Sequence, residues 1–289
     1  MNDYLLSLLL GVVEGLTEFL PISSTAHLRI VEALFHLDLH SSFWKMYTIV
    51  IQLGAILALP IFFRHRIAKF LRTFPSGERG DRTLLTHPLS LVMIAFVITA
   101  LPAWALKKQI GHNLENVSLI AWALLIGGAI MWIVDAYCNR PHVQEMEGMG
   151  LSQAAFIGAA QILSAIFPGT SRSMCTIAAG QLAGLSRLAA LEFSFFLSIP
   201  TMLAATGFDF LKTVVPHHRS AADAAIAPLT MNNHEWIVLA IGFFVSFVVA
   251  LVVVAWFMRW VRTRGFTPFA IYRIALGIVL LVLIARGFI

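Results

Sequence analysis

The stretch EGLTEFLPISSTAH, residues 14–27, brings two carboxylates, two serines, two threonines and a histidine into an otherwise apolar chain. Glu14 and Glu18 are four residues apart, so on a helix both side chains lie on one face. Pro21 ends that helix, because it has no N–H and disfavours α geometry in the residue before it. The stretch therefore predicts a helix, a break and a second helix, which is costly in hydrocarbon unless the polar groups line a cavity.

The residues after the break form a cluster of hydroxyls with one imidazole. Ser23, Ser24 and Thr25 can each cap the second helix, and His27 then lies in its first turn. Within one turn of Ser24, His27 can act as the base for that hydroxyl or as a nucleophile itself. The cluster is a candidate reaction centre, and helix capping is the simpler role of Ser23 and Thr25.

The composition is that of an integral membrane protein. Of the 289 residues, 59% are hydrophobic and 12% are charged, and the mean hydropathy is +0.84, whereas soluble domains carry about 25% charged residues. The basic residues are spread through the connections between apolar segments, which argues against a nucleic-acid partner. Cys138 and Cys175 are far apart, which argues against a disulfide framework or a zinc site.

Six apolar segments are long enough to cross a bilayer, which takes about 20 residues: 43–63, 89–106, 117–137, 188–208, 236–258 and 268–287. Four shorter segments form two adjacent pairs, each interrupted by a proline: 4–20 with 25–37, and 151–167 with 171–184. Interrupted pairs of this kind are typical of re-entrant hairpins. The sequence predicts an all-α integral membrane protein of about six transmembrane helices and two re-entrant helical hairpins.

The two interrupted pairs are similar to each other. Gln161–Pro168 has the spacing of Glu14–Pro21, and a serine, Ser171 or Ser24, follows each proline by three residues. Each pair is followed by three spans, and an odd number of spans makes the two halves point in opposite directions across the bilayer. We therefore expect an inverted-topology repeat.

The expected halves are residues 1–147 and 148–289, within one integral membrane domain. The basic connection 64–87 and the basic residues of 259–264 fall on the same side by span parity, so that side should be cytoplasmic. Both termini then face outward, and the long outward loop 209–235 is expected to cover or border the site.

The second break, PGTSRS at residues 168–173, combines a glycine-containing turn with hydroxyls and a guanidinium at the start of a helix. Free backbone N–H groups, the positive end of the helix dipole and the fork of Arg172 together suit a phosphate group. An ordinary capped turn, with Arg172 reaching the head-group region, is the alternative. The other candidate phosphate ligands in this turn are Gly169, Thr170, Ser171 and Ser173.

Glu14 and Glu18 are functional candidates because ionisable residues at membrane depth are rare and costly. They can hold a divalent cation such as Mg²⁺ or Ca²⁺ through oxygen ligands, or act as an acid–base pair whose members tune each other. Gln52, Glu192 and Arg273 also lie within apolar spans, where they either line the same cavity or form interhelical contacts.

Together these residues resemble the undecaprenyl-diphosphatase family, also called the bacitracin-resistance family. The resemblance covers nearly the whole chain in order and rests on EGLTEFLPISSTAHL, VIQLGAIL, PGTSRS, SRLAALEFSFFLSIP and PFAIYRIALG. It implies an inner-membrane phosphatase with a site open to the periplasm, which converts undecaprenyl diphosphate to the monophosphate and so recycles the lipid carrier of peptidoglycan synthesis. The expected partners are this polyprenyl diphosphate and membrane lipid, with a homodimer as a further expectation.

Carried over by position, the resemblance gives roles to the polar residues of both breaks. Glu14 and Glu18 match the acidic motif of the family, Ser24 its candidate nucleophile, His27 its essential histidine and Arg172 its phosphate-binding arginine. Three routes stay open: attack by Ser24 activated by His27, attack by His27, or attack by a metal-held water. The predicted substrate contacts are completed by Ser23, Thr25 and Gln52.

Transport of a polyprenyl phosphate is the alternative function, because inverted repeats with discontinuous helices are a transporter architecture. Asymmetry between the halves favours hydrolysis. The acids of the first half have no counterparts in the second, Met174 is opposite His27, and Arg172 occurs only in the second half, opposite Thr25. Complementary halves of this kind suit a reaction centre.

Overall fold

The computed structural model describes residues 2–35, 37, 41–78, 80–106, 109–110, 113, 116–138, 140–214 and 231–287. The predicted outward loop 209–235 falls mostly outside these residues, so its relation to the site stays a prediction. The described helices are α1 (Asp3–Thr17), α2 (Ser24–Leu34), α3 (Ser42–Phe62), α4 (Arg64–Thr73), α5 (Pro88–Ala105), α6 (Val117–Tyr137), α7 (Leu151–Ile166), α8 (Arg172–Leu182), α9 (Arg187–Val214), α10 (Asn233–Thr263) and α11 (Thr267–Ala285).

The all-α prediction is confirmed, since the only β-type pairing in the described residues is an isolated bridge between Val143 and Leu185. Five helices, α5, α6, α9, α10 and α11, are long and apolar enough to cross a membrane. Helix α3 meets the same criterion together with α4, from which it is bent by 65°. The five to six candidate spans agree with the six that the sequence predicts.

Both predicted hairpins are pairs of short helices, α1 with α2 and α7 with α8, joined through the turn that contains the proline. The second helix of each pair begins after a serine whose backbone is left-handed, Ser23 with φ 74° and Ser171 with φ 71°. Each serine side chain caps its helix by accepting from the N–H three residues on, that of Ala26 or Met174, at 3.4 Å. Non-glycine residues in this conformation cost about 1–3 kcal/mol and concentrate at functional turns.

The two caps correct the register that the sequence predicts between the hairpins. The cap of α2 lies two residues after its proline, whereas the cap of α8 lies three residues after, because Gly169 lengthens the second turn. The predicted register, which placed Arg172 opposite Thr25, is therefore wrong by one residue beyond the break. Arg172 and Ser24 are equivalent, each being the first residue of its helix.

The helices of the two halves pack across each other. Helix α1 packs on α10 and α7 packs on α5, so each hairpin rests on a span of the other half. At both crossings a glycine lets the backbones approach: a Cβ on Gly15 would lie 2.7 Å from the Ser246 carbonyl oxygen, and one on Gly158 would lie 2.5 Å from that of Ala95. This exchange supports two related halves, and their opposite orientation across the bilayer stays a prediction.

The basic connection 64–87 contains a helix that the sequence analysis treated as loop. Helix α4 carries four basic residues in ten, so it cannot continue α3 through hydrocarbon, and the chain bends at Phe63. Arg66 then donates to Glu147 at 2.6 Å and to Glu192 at 2.7 Å. Of the two roles predicted for Glu192, the structure shows the interhelical contact, because its bond with Arg66 connects α9 to α4.

Candidate active site

Glu18 joins the two hairpins at the point where α1 ends. Its Oε2 accepts a hydrogen bond from the Ser24 hydroxyl at 2.6 Å, and its Oε1 accepts one from Nη2 of Arg172 at 3.2 Å. The side chains of Glu18 and Arg172 are only 6% and 10% exposed. A buried ion pair adds little net stability over an apolar pair, so its presence between two broken helices favours a functional role.

Glu14 lies one turn before Glu18 and is fully buried. Its carboxylate oxygens lie within hydrogen-bonding reach of the Glu18 carboxylate but have no donor group among the described residues, and Nε of Arg172 has no acceptor there. Buried polar groups without partners are costly. The adjacent carboxylates are therefore candidate ligands of a cation, and the free Nε of Arg172 is a candidate donor to an anion.

The structure pairs His27 differently from the expectation that it serves Ser24. Nδ1 of His27 lies 2.7 Å from the Ser23 carbonyl oxygen, and Nε2 lies 2.7 Å from the Tyr272 hydroxyl, with the two rings stacked. Because a carbonyl oxygen only accepts, Nδ1 carries a proton, and in the neutral ring Nε2 accepts from the tyrosine. The residue placed to take the proton of Ser24 is therefore Glu18 and not His27.

Most of the predicted hydroxyl ligands are engaged in building the two turns. Ser23 caps α2, and Ser171 caps α8 and lies 3.0 Å from the Ser173 hydroxyl. Ser173 itself donates to the Leu20 carbonyl oxygen at 3.0 Å, and Thr170 donates to that of Phe167 at 2.6 Å. The hydrogen bonds of Ser23, Thr170 and Ser173 therefore favour a structural role in the two turns. They do not favour the expected role of direct donors to the substrate.

Two further predicted contacts stand apart from this network. Thr25 is half-buried in the first turn of α2, and Gln52 is half-buried on α3. Among the described residues, neither side chain forms a hydrogen bond with Glu18 or Arg172. Their part in binding a substrate stays a prediction.

The starts of α2 and α8 meet at the same cluster. Ser24 and Arg172 are their first residues, and both side chains contact Glu18. The first N–H groups of a helix have no intrahelical partner, and the helix dipole places a partial positive charge there. Two such ends with one guanidinium form a candidate anion site of the type found between discontinuous membrane helices.

Arg273 of α11 holds both turns in place. Its side chain is fully buried, and it donates from Nη1 to the Pro21 carbonyl oxygen and from Nη2 to those of Ala123 and Gly169, each at 3.1 Å. No carboxylate among the described residues forms an ion pair with it. The guanidinium thus connects the two breaks through their carbonyl oxygens and leaves a positive charge beneath the anion site.

Two glycines make room for this arrangement. Gly127 lies against the Arg273 guanidinium, in a position where a Cβ would collide with Nη2. Gly169 has φ +91°, and a Cβ there would lie 2.6 Å from the Ile120 carbonyl oxygen. The second turn therefore requires glycine for its backbone conformation and for its packing.

We expect Gly169→Ala to lower the free energy of unfolding by about 3 kcal/mol, since left-handed strain costs roughly 1–2 kcal/mol and overpacking adds a similar amount. Thermal unfolding of the purified protein in detergent measures the change. Gly80→Ala is the matched control, because Gly80 also has positive φ but no atom lies within 4 Å of its Cβ position. Equal losses in the two variants would contradict the packing argument at Gly169.

The carboxylate pair fits a divalent cation in part. Mg²⁺ retains several waters and is held by one or two carboxylates together with substrate phosphates, and the free oxygens of Glu14 supply such ligands next to the anion site. The described residues contain no group of three or more His, Cys, Asp or Glu side chains that could complete a protein cage. The donor set therefore suits a cation shared with a phosphate-bearing substrate.

Sequence reasoning missed Tyr272 and left two general roles open for Arg273, lining of the cavity or an interhelical contact. Both lie in the PFAIYRIALG segment, and both act on the first turn from about 250 residues away: Tyr272 through His27, and Arg273 through the Pro21 carbonyl oxygen. An arginine within an apolar span was the available signal for Arg273. A tyrosine in a membrane helix carries no comparable signal.

Comparison with known proteins agrees with this geometry. The family described as bacitracin resistance protein BacA matches residues 7–279. A protein of Koribacter versatilis named undecaprenyl-diphosphatase is 62% identical over 97% of this chain and 98% of its own. Proteins of the same name from Caldanaerobacter subterraneus and Deinococcus radiodurans are 40% and 36% identical, over 96% and 99% of this chain and 95% and 97% of their own. The chain therefore belongs to the BacA family.

Proposed function

We propose that this multi-pass membrane protein is a phosphatase that hydrolyses undecaprenyl diphosphate to undecaprenyl phosphate and inorganic phosphate. The observation that carries the proposal is the position of Glu18, which joins a hydroxyl of one hairpin to a guanidinium of the other. Two consecutive hydrogen bonds thus connect a nucleophile, a proton acceptor and an anion ligand. The names of the relatives supply the substrate.

In the proposed reaction Ser24 is the nucleophile. Its Oγ forms a bond to the terminal phosphorus while the bond from that phosphorus to the bridging oxygen breaks, and undecaprenyl phosphate leaves. Glu18, 2.6 Å away, takes the hydroxyl proton. A water then attacks the phosphorus of the phosphoserine, the bond from phosphorus to Oγ breaks, and Glu18 returns its proton to Oγ. Inorganic phosphate leaves with the oxygen and the protons of the water.

The positive groups around the cluster stabilise the charge that develops on phosphorus. Arg172 has a free Nε and can turn from Glu18 towards a phosphate oxygen, and the starts of α2 and α8 point their N–H groups at the same place. His27 is held by Ser23 and Tyr272 and acts by fixing the turn that presents Ser24. The hydrogen bonds of its ring go to Ser23 and Tyr272, whereas that of the Ser24 hydroxyl goes to Glu18.

A divalent cation, Mg²⁺ or Ca²⁺, is proposed at Glu14 and Glu18. When bound it would neutralise part of the diphosphate charge and help to orient the leaving phosphate. The orphaned oxygens of Glu14 support this assignment, because a bound cation would give them a partner.

The proposed setting is the bacterial inner membrane, with the site open to the periplasmic side. The basic residues of α4 and of the 259–264 connection support a cytoplasmic location for those segments. The product is then the monophosphate form of the carrier lipid of peptidoglycan synthesis, and its supply would give resistance to bacitracin. A homodimer stays a prediction.

The test is phosphate release from undecaprenyl diphosphate by the purified protein in detergent. We expect release by the wild type, loss of at least about 10²-fold in Arg172→Ala, and wild-type release in Arg64→Ala, an exposed arginine whose guanidinium contacts His65. A folded wild type that releases no phosphate would overturn the proposal, and lipid transport in liposomes would then be measured.

The metal is tested on the same preparation. A chelator should reduce release at least tenfold and Mg²⁺ or Ca²⁺ should restore it. The cation should also raise the unfolding temperature of the wild type but not of Glu14→Gln. Release that is indifferent to the chelator, with equal temperature shifts in both proteins, would remove the metal and leave hydrolysis by Ser24 standing.

A further inference from the structure

An apolar groove lies on the surface between α10 and α11, beside the first turn. It is lined by Ile22, Trp256, Trp260, Pro268, Phe269 and Tyr272 and encloses about 260 Å³. We propose that this groove binds the first isoprene units of the substrate chain while its diphosphate occupies the Glu18–Arg172 cluster. The proposal rests on the proposed function and adds the subsite that holds the lipid.

The groove adjoins the turn that carries Ser23 and Ser24. Tyr272 lines it and also contacts Nε2 of His27 at 2.7 Å, and Ile22 lines it directly before the Ser23 cap. The next residue after Tyr272 is Arg273, which donates to the Pro21 carbonyl oxygen of the same turn. A chain that leaves a phosphate at the turn therefore meets apolar surface at once.

The walls of the groove are held in place by their own contacts. Nε1 of Trp260 donates to the Gly265 carbonyl oxygen at 3.2 Å, and Arg264 covers a face of the indole at 4.7 Å. Trp256 and Phe269 pack edge to face at 6.4 Å, and Trp256 remains 44% exposed. Rigid aromatic side chains offer a large contact area at a small entropic cost. This suits the binding of one apolar chain rather than non-specific contact with bilayer lipid.

The size of the groove limits what it holds. Sites for whole small ligands enclose about 300–1,000 Å³, so 260 Å³ accommodates the start of a polyprenyl chain and leaves the remainder in the bilayer. The lining residues are apolar or aromatic, and the one hydroxyl among them, that of Tyr272, faces His27 at the end nearest the cluster. The hydroxyl of the lining therefore lies at the end that the phosphates would approach.

The experiment separates the chain from the head group. For each variant, KM and kcat are measured with undecaprenyl diphosphate, and inorganic pyrophosphate, which has no chain, is used as a competitive inhibitor. Trp256→Ala should raise KM about tenfold and leave kcat and the inhibition constant of pyrophosphate within about twofold. Trp236→Ala is the matched control, because Trp236 is also exposed on α10 but lies about 30 Å away along the helix.

The outcomes are distinct. Equal KM values in Trp256→Ala and the wild type, or a pyrophosphate inhibition constant that changes by the same factor as KM, would overturn the groove assignment. Folding of Trp256→Ala is checked by size-exclusion chromatography beside the wild type. If the elution differs, Trp256→Leu replaces it, since leucine keeps an apolar side chain, and KM should rise about threefold. An unchanged KM in Trp256→Leu would also overturn the groove assignment. A wild type that releases no phosphate would instead contradict the proposed function.

Discussion

Glu18→Gln is expected to lower kcat for phosphate release by about 10³-fold, the largest effect at any single carboxylate of the chain. The amide keeps the shape of the side chain but cannot take the proton of Ser24, a role that is worth about 10²–10⁴-fold. It also removes the negative charge that faces Arg172 at 3.2 Å. The measurement is kcat with saturating undecaprenyl diphosphate, and Glu78→Gln, a 66% exposed carboxylate paired with Lys69, is the control.

Ser24 belongs to the same prediction, because residues that act as a unit are not additive. Ser24→Ala should lose nearly as much activity as Glu18→Gln, and the double variant should lose little more than either. Nearly full release by Ser24→Ala would remove the serine as nucleophile, and attack by His27 or by water would become the alternatives. Additive losses would show that Glu18 serves the reaction without acting on Ser24.

The helical architecture was predictable because it depends on local patterns. Apolar segment length sets the candidate spans, and Pro21 and Pro168 interrupt two helices in positions where few other residues would. The bend before α4 also has a signal in the sequence, since the basic residues of α4 begin at Arg64, directly after the apolar part of α3. Only the helical state of that connection was missed.

The membership of the site was predictable, whereas the pairing within it was not. Charged residues at membrane depth identify Glu14, Glu18 and Arg172 from sequence alone. Which hydroxyl is free depends on tertiary hydrogen bonds, so Ser173 was indistinguishable from Ser24 until its bond to Leu20 was seen. The register slip had the same origin, because an extra turn residue with positive φ has no sequence signal other than a glycine.

The connection through main-chain carbonyl oxygens was beyond sequence reasoning altogether. A carbonyl oxygen is present at every residue, so nothing in the sequence marks those of Pro21 and Gly169 as the acceptors of a distant guanidinium. Arg273 and Tyr272 both approach the first turn from α11, one holding its backbone and the other holding His27. The second half of the chain thus contributes Arg273, which holds the turns, as well as the candidate phosphate ligand Arg172.

Arg273→Met is accordingly expected to lower the free energy of unfolding by about 3 kcal/mol or more and to reduce kcat at least about 10²-fold. Methionine fills much of the volume but leaves the buried carbonyl oxygens of Pro21 and Gly169 without their donor, at a cost of roughly 1–3 kcal/mol each where water cannot replace it. The turns that present Ser24 and Arg172 then lose their common support. Thermal unfolding and kcat, measured beside Arg64→Met, give both quantities.

Arg273→Lys separates the positioning role from stability. Lysine keeps the positive charge but cannot span all three acceptors with the geometry of a planar fork, so we expect a folded protein whose kcat falls about tenfold while KM changes by less than about threefold. Such a split follows if the clamp aligns the reacting groups and the charge draws in the diphosphate. Full kcat in the lysine variant would show that charge alone suffices, and a rise in KM without a fall in kcat would assign Arg273 to substrate binding instead.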